Sequence, residues 1–352
     1  MTNIASTYSQ RFDILRIIEA QKNQLNIRQS EIASGRKSDL ALSLGAGMRR
    51  SLNAHSLLNS CNKYREYNNI VKSRLQITQT CLSNIYENAD DYRSSLMMAA
   101  NDARDQKIIV AMAKQKLDLF TSSLNSSFDN KYIFGGERTD IPPLNEFLSE
   151  QASPIKLAIN DAFSRNPPIG FGFSQTSSLV PTISPEQLEN FINGSLSQLF
   201  TANEWSKSWS NASNQPLKNM ISPGHLIDTS TTTNEPAMRK IAMAYVIGCN
   251  LGAENMNATT YQTLSRKATE ILDEGLKLLN STRSRIGVMQ QTIDETNISL
   301  QKQSNILEIN INEIEGVDQT EMATITADLL SRIEATMTLA SRISNLSLAR
   351  FL

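Results

Sequence analysis

The sequence has little of the residues on which covalent cross-links and catalysis depend. Its 352 residues include three cysteines, Cys61, Cys81 and Cys249, at spacings that fit neither a disulfide framework nor a zinc site. Cys61 falls on an apolar seam, and we expect it to pack as a small hydrophobic residue. The two histidines, His55 and His225, stand in no metal-binding motif. Since a phosphate-binding glycine loop and a GxSxG motif are also missing, we predict no catalytic, cofactor-binding or metal-binding residue.

Aromatic side chains and charge imbalance are also scarce. Aromatic residues make up 6% of the chain, which is sparse for a compact enzyme and typical of helices that pack side by side. The formal net charge is −1, from 34 basic and 35 acidic residues, so we expect no nucleic-acid partner. No window approaches the roughly 18 apolar residues of a membrane span, so we expect no membrane partner. The first residues lack an apolar core flanked by basic residues, and we expect no cleaved secretory leader.

Helical periodicity marks both ends of the chain. From Gly316 to the C terminus, apolar residues recur in steps of three and four, which indicates one face of an α-helix. Residues 11–34 carry a heptad seam with two polar interruptions, and Gly35 ends that helix. Helices of this length are marginal alone in water, so we predict that the two pair. Two interpretations stay open: an ordinary terminal hairpin of a bundle, or helices that become ordered only on assembly with further copies.

The strongest periodic signal lies inside these ends, where residues 48–103 keep a strict 3.5-residue period and predict one long helical rod. A second helix is predicted at about 105–128, and a second rod at about 255–314. The predicted seam of the first rod is Leu57, Cys61, Tyr64, Asn68, Val71, Leu75, Thr78, Leu82, Ile85, Ala89, Tyr92 and Leu96. That of the second rod is Tyr261, Leu264, Ala268, Ile271, Gly275, Leu278, Thr282, Ile286, Met289, Ile293, Thr296, Leu300, Leu307, Ile311 and Ile314.

The composition changes between residues 140 and 234, where most prolines and both tryptophans lie. We interpret this segment as a small inserted domain of mixed α/β structure. Within it, residues 169–173 alternate like a strand, and Ser184 with Pro185 predicts a capped helix. Trp205 and Trp209 are expected to pack its core.

The sequence therefore predicts a mainly α fold. Long antiparallel helical rods form a bundle, the N- and C-terminal helices pair as a coiled coil, and a small mixed α/β domain is inserted. The predicted boundaries are 1–47 for an N-terminal assembly helix and connector, 48–139 for the first part of the rod domain, 140–234 for the insertion, 235–315 for the second part of the rod domain and 316–352 for a C-terminal assembly helix.

Local motifs resemble those of bacterial flagellin and its relatives. The segment around Ser34, Gly35 and Arg36 is similar to the family's N-terminal ASGK/R segment, and Arg285, Ile286 and Gly287 are similar to its C-terminal rod motif. The leucine-rich ending is similar too. Residues 132–139, with Tyr132, Phe134, Gly135, Gly136 and Thr139, resemble the hook-associated members of the family more than the filament subunit. The resemblance covers about 1–140 and 236–352 and leaves out the insertion.

That resemblance implies an extracellular structural subunit, exported through the hollow flagellum by the flagellar type III apparatus. An export chaperone is expected to hold the C-terminal helix before export. The implied partners are further copies of the chain in a ring or tube, the proximal hook-associated protein and flagellin. The implied function is the junction between hook and filament, and the implied localisation is the flagellum.

On this basis we expect the terminal helices to supply the assembly interface. The predicted interface residues are Ile14, Ile18, Leu25, Ile32, Leu329, Ile333, Leu339, Ile343, Leu346, Leu348 and Leu352. Two other functions stay open at this point. One is flagellin itself, the bulk filament subunit, and the more distant one is an enzyme or a signalling coiled-coil protein.

Overall fold

The computed structural model describes residues 7–41, 45–101, 106–148 and 153–348, and these are mainly α-helical. Short 3₁₀ turns occur at Gly45–Gly47, Val180–Thr182 and Ala253–Asn255, and a π-helical turn at Ile192–Leu196. The helices are α1 (Thr7–Ser34), α2 (Met48–Asn101), α3 (Gln106–Leu124), α4 (Pro154–Ser164), α5 (Pro185–Phe191), α6 (Ala202–Ser208), α7 (Pro236–Asn250), α8 (Ala258–Glu315) and α9 (Gln319–Leu348).

Two antiparallel hairpins provide the described strands. Strand β1 (Ser127–Phe128) pairs with β2 (Lys131–Tyr132), and β3 (Lys218–Ser222) pairs with β4 (His225–Asp228). Asp129 and Asn130 form the turn of the first hairpin, and both have positive φ. A two-residue hairpin turn requires this conformation if its twist is to match that of the strands. The predicted mainly α fold with a small mixed insertion is confirmed.

Contacts divide the chain into two compact units. The terminal unit comprises Met1–Lys63 and Ser299–Leu352, and the central unit comprises Tyr64–Ile298. The described buried residues of the inserted segment belong to the same hydrophobic cluster as those of α2, α3, α7 and α8. The five predicted segment boundaries stay predictions, since the contacts mark a coarser division.

In the central unit, α2 and α8 run antiparallel. Polar side chains join Asn68 to Asn297 at 2.9 Å, Lys72 to Asp294 at 2.6 Å and Arg93 to Asp273 at 3.0 Å. Because residue numbers rise along α2 while those of their partners fall along α8, the two rods are antiparallel, as predicted. Asn68 is fully buried and also donates to the Ile221 carbonyl. A buried polar residue in an apolar seam favours one register of the two helices.

The predicted seams match the buried faces of the rods, with two corrections. Leu57 is exposed, and the half-buried Leu58 takes its place one position along α2. Leu278 is exposed too, and Leu279 is buried instead. In both cases two leucines are adjacent, and periodicity alone did not decide which one faces the partner. Gly275 lies in close contact with α7, since a Cβ there would come within 2.9 Å of Ile241.

Helix α7 lies in the middle of the central unit. Most of its residues are buried, as expected for a helix that is apolar on all sides, and it packs against α3. Pro236 is the first residue of the helix, and Glu235 precedes it.

Aromatic rings fill the core of the inserted segment. Trp205 and Trp209 are fully buried and stacked, with ring centroids 5.0 Å apart, and Phe147 stacks on Trp209 at 5.4 Å. This confirms the expected packing role of the tryptophans. The Ser184 cap is also confirmed, because its side chain accepts from the Gln187 amide while the Gln187 side chain accepts from Ser184.

The strand predicted at residues 169–173 is wrong. The segment is a loop that folds back on the end of α4, where the Phe171 amide donates to the Phe163 carbonyl and the Gly172 amide to the Arg165 carbonyl, both at 2.8 Å. Phe171 and Phe173 both contact Phe163. The alternation of phenylalanine and glycine in this segment therefore reflects aromatic packing in a loop.

A glycine in α7 generates a stability prediction. A Cβ on Gly248 would lie 1.8 Å from the Tyr92 hydroxyl oxygen, and that hydroxyl makes no hydrogen bond in the described part of the chain. Gly248→Ala should therefore destabilise the central unit by about 1–3 kcal/mol through overpacking. Adding Tyr92→Phe removes the clashing atom and should restore more than half of that loss. Urea unfolding followed by circular dichroism measures both, with Tyr92→Phe alone as the control. A double variant no more stable than Gly248→Ala would contradict this packing.

Candidate assembly interface

In the terminal unit, α1 and α9 pack along each other as a two-helix hairpin. The Arg28 guanidinium contacts the Met322 sulfur at 3.9 Å, which places the end of α1 beside the start of α9. Ile18, Met322, Leu329 and Ile333 are buried along the hairpin. The pairing of the terminal helices, predicted from the two seams, is confirmed.

The hairpin leaves a second set of large apolar side chains uncovered. Two helices that share one seam cover only the facing side of each, and the remaining apolar residues stay in water. In the hairpin these exposed residues, called the outer face below, are Phe12, Leu15, Ile17, Ile27, Leu330, Met337 and Leu339. Exposed apolar groups this numerous on one small element are typical of a protein interaction surface. Of these residues only Leu339 is a predicted interface residue, and the other six were not identified from the sequence.

The predicted interface residues fall into four groups. Ile18, Leu329 and Ile333 are buried inside the hairpin, so in the single chain they hold α1 and α9 together. Leu339 has 57% of its surface exposed. The half-buried members are Ile14, Leu25 and Ile32. Ile343, Leu346 and Leu348 belong to α9, but their side chains lie outside the described residues, as does all of Leu352.

The helix breaks at Gly35 and Gly316 are joined by backbone hydrogen bonds. The Lys37 amide donates to the Glu315 carbonyl at 2.9 Å, and the Val317 amide donates to the Gly35 carbonyl at 3.2 Å. Gly35 has φ +69°, the left-handed conformation that ends a helix and that glycine adopts without strain. We call this pair of bonds the clasp. It ties the end of α1 to the end of α8.

A buried carboxylate lies at the clasp. Glu315 is 1% exposed and accepts hydrogen bonds from Ser51 and, at 2.8 Å, from His55 Nε2, while Arg36 lies 3.6 Å away. Burial by itself would raise the pKa of the Glu315 carboxyl. The hydrogen bonds from Ser51 and His55 and the charge of Arg36 outweigh burial, so this pKa lies below its ordinary value. The sequence did not reveal this cluster, because its members lie on different helices.

The cluster does not have the geometry of a nucleophile and its base. Ser51 and His55 both bind the Glu315 carboxylate, whereas nucleophilic catalysis needs the serine to bind the histidine. A second buried carboxylate, Glu31, accepts from the Ser38 amide at 3.0 Å and from Arg28 at 2.6 Å. Both clusters therefore fix the helix ends in place.

Other chemistry is sparse in the described residues. They contain no group of three His, Cys, Asp or Glu side chains that could hold a metal ion. Burial raises the pKa of the Cys249 thiol to about 12, which keeps it protonated and unreactive.

Among the described residues no helix is both long and apolar enough to cross a membrane. The inserted segment has a cavity of 280 Å³ lined by side chains that include Phe171, Phe191, Gln187 and Asn190, with no charged group.

The sequence matches two known protein-family profiles. The profile of the bacterial flagellin N-terminal helical region matches residues 5–139, and that of the bacterial flagellin C-terminal helical region matches residues 269–352. Together these cover well over half of the sequence. The chain belongs to the flagellin family. As a flagellin-family protein it is a structural component of the bacterial flagellum.

This fold also occurs in a solved structure of another protein. A proposed flagellar hook-associated protein of Vibrio parahaemolyticus matches with a TM-score of 0.52 at 12% identity, over 76% of this chain and 97% of that one. FlgL of Bacillus cereus matches with a TM-score of 0.48 at 12% identity, over 74% of this chain and 98% of that one. Among curated protein sequences, none matches this flagellin-family chain significantly.

The flagellin-family motif at residues 132–139 has a structural role here. The Tyr132 amide donates to the Thr139 carbonyl at 2.9 Å, and Phe134 is fully buried. A Cβ on Gly135 would lie 1.8 Å from the Arg138 carbonyl oxygen, and Gly136 has φ +63°. This tight turn needs both glycines, and it joins the end of the first hairpin to the inserted segment.

The other two motifs lie at helix contacts. Arg285 pairs with Glu235, the residue that precedes α7, and Ile286 is fully buried. At Gly287 a Cβ would meet no described atom within 4 Å. In the N-terminal motif, the Ser34 hydroxyl donates to the Ser30 carbonyl at 2.8 Å, and Arg36 faces Glu315. All except Gly287 therefore stabilise the fold itself.

The buried carboxylate yields a pH prediction. Since the pKa of Glu315 is lower in the folded chain than in the unfolded chain, its stabilising effect is fully present above the ordinary carboxyl pKa of about 4.3. The effect is lost as the pH falls through the lower, folded pKa. At pH 7, Glu315→Gln should therefore speed amide exchange in α9 by about tenfold, the equivalent of one charged hydrogen bond.

Hydrogen exchange with mass spectrometry, taken as the ratio of variant to wild type at each pH, measures this effect. The ratio should shrink towards one as the pH is lowered below 4. The exposed Glu308→Gln serves as the matched control. A ratio for Glu315→Gln that is already one at pH 7 would show that the cluster does not stabilise the clasp.

Proposed function

We propose that this chain is the subunit that joins hook and filament in the flagellum, and that α1 and α9 assemble copies of it into a ring or tube. The observation that carries the proposal is the outer face, which a single chain leaves in water. Membership of the flagellin family supports a structural role. The resemblance of residues 132–139 to hook-associated members, and a fold shared with a proposed hook-associated protein, favour the junction over the bulk filament.

The energetics favour an assembly in which each copy has two neighbours. Covering one large apolar side chain contributes about 1.5–3 kcal/mol, and the outer face is roughly half exposed, so seven such residues contribute roughly 5–10 kcal/mol. Association of two chains costs about 4–15 kcal/mol. One contact is therefore marginal. Closing a ring adds one more contact without a further association cost, so a closed ring is favoured over an isolated pair of copies.

The terminal helices, which are marginally stable alone in water, suit export of the chain in an unfolded state. We expect the chain to leave the cell unfolded through the flagellar type III apparatus, with an export chaperone holding the apolar C-terminal helix beforehand. In the finished flagellum its neighbours are further copies of itself, the proximal hook-associated protein and flagellin. The outer face becomes covered only at that stage.

Immunogold electron microscopy of intact flagella, with antibody against residues 153–234, tests the location. The proposal predicts one cluster of label between hook and filament. Label along the whole filament would make the chain a bulk filament subunit, and absence of label from flagella would refute a flagellar role.

A charge on the outer face tests the interface. Leu339→Asp should lower incorporation into flagella at least about tenfold, because an assembled interface would bury the new carboxylate without a partner. The helix content of the purified chain should not change, since Leu339 is exposed there. Asn203→Asp adds the same charge at an exposed polar position of α6, outside the terminal unit, and is the matched control. Immunoblots of sheared flagella measure incorporation, and wild-type incorporation of Leu339→Asp would contradict the proposal.

A further inference from the structure

One face of α2 in the central unit combines exposed apolar side chains with a cation. Tyr67, Ile70 and Arg74 are spaced by three and four residues, so they lie on the same side of the helix. Tyr67 is exposed, Ile70 has 57% of its surface exposed, and Arg74 is half-buried. Tyrosine and arginine are the residue types enriched where protein interfaces gain most of their binding energy.

The hairpin of β3 and β4 extends this face. The Tyr67 hydroxyl donates to Asn219 Oδ1 at 2.6 Å, and the Tyr64 hydroxyl lies 3.5 Å from the Met220 sulfur. Met220 and Leu226 are cross-strand partners, and both are exposed. The helix and the hairpin thus form one surface, called here the α2–hairpin surface, which consists of Tyr64, Tyr67, Ile70, Arg74, Met220 and Leu226.

Arg74 lacks a carboxylate partner among the described residues. Its guanidinium donates to the Tyr132 carbonyl at 3.3 Å, and burial lowers its pKa. A partly desolvated charge without a counter-charge is unfavourable, and a carboxylate brought by a partner would compensate for it. The charge therefore selects a partner that carries an acidic group among apolar side chains.

The central unit itself carries a surface of that kind. A cavity of 120 Å³ between α3 and the loop after Leu144 is lined by two carboxylates, Asp118 and Glu146, and by Leu148. In the described chain neither carboxylate forms an ion pair, and Leu148 is exposed beside them. This acidic cavity and the α2–hairpin surface are built from different elements. One copy can therefore offer both surfaces.

We propose that the α2–hairpin surface of one copy docks on the acidic cavity of a second copy, with Arg74 facing Asp118 and Glu146 and with Ile70 against Leu148. Such a contact joins unlike surfaces, so it is heterologous and repeats from copy to copy until a ring closes. It rests on the proposed function for the presence of neighbouring copies. It adds the inserted segment, through β3, β4 and the acidic cavity, to an assembly otherwise formed by the terminal helices.

A charge-swap series tests the pairing. Arg74→Glu and Glu146→Arg each place like charges together in the contact, and each should lower the amount of chain in sheared flagella by about tenfold. The double variant restores opposite charges and should recover to within about threefold of wild type. Single variants that incorporate like wild type, or a double variant as poor as the singles, would overturn the proposal. Circular dichroism and thermal melting of the purified variants check that all of them fold.

Photo-crosslinking separates this proposal from the proposed function. With benzoylphenylalanine in place of Ile70, irradiation of intact flagella should give a product of two chains whose cross-linked peptide contains Leu148. A product with another flagellar protein, or none although immunogold finds the chain in flagella, would overturn the docking alone. A chain that immunogold does not find in flagella refutes the proposed function and, with it, this contact.

Discussion

Antiparallel pairing of long helices is the constraint on which the rest of the structure depends. A helix with a single apolar seam needs a partner along its whole length, and in the central unit α8 supplies it for α2, with Asn68 fixing the register. Helices α3 and α7 then close the core, and the inserted segment adds its aromatic residues to the same cluster. In the terminal unit α1 and α9 pair with each other, and the described apolar residues on their outer sides stay uncovered. The two units therefore differ in how much of the apolar surface of their helices is covered by other elements of the chain.

The clasp makes the terminal hairpin a defined element. Gly35 and Gly316 each interrupt a helix, and such breaks would normally let the two ends move independently. Here the breaks are bonded to each other, and Glu315 ties α8 to Ser51 and His55 of α2 and to Arg36. Because the carboxylate accepts two hydrogen bonds and lies beside a cation, its burial is tolerated. The hairpin thus presents its outer face with α1 and α9 already in register.

Much of the fold could be predicted because a long helix places an apolar residue on its buried face at every turn, which gives a periodic sequence pattern. The seam of α2 from Cys61 onward, the capped helix at Ser184 and the tryptophan core all follow from local chemistry. Periodicity was insufficient where two leucines are adjacent, as at 57 and 58 or 278 and 279, because only the partner's position selects one of them. It also misassigned residues 169–173, where alternating phenylalanines pack in a loop.

The site was harder to predict than the fold. Most of the outer face lies off the heptad seams, and the Glu315 cluster joins residues that are 260 or more positions apart. Such contacts depend on tertiary structure and leave no periodic trace. The motifs that revealed the family are mostly structural, since Arg285 holds Glu235 and Gly135 allows a tight turn. Family motifs therefore identified the class of protein without marking its interface.

The outer face is exposed in the single chain, and we expect it to be covered in the flagellum. Accessibility of a cysteine at position 15, introduced as Leu15→Cys with the three native cysteines replaced by serine, tests it directly. A maleimide carrying a polymer tag is added to the purified chain and to intact flagella, and labelling is measured as a mass shift on immunoblots. Lys207→Cys in the same background provides an exposed control. We expect fast labelling of the purified chain at both positions and strong protection in flagella at position 15 only. Equal labelling of position 15 in both states would contradict it.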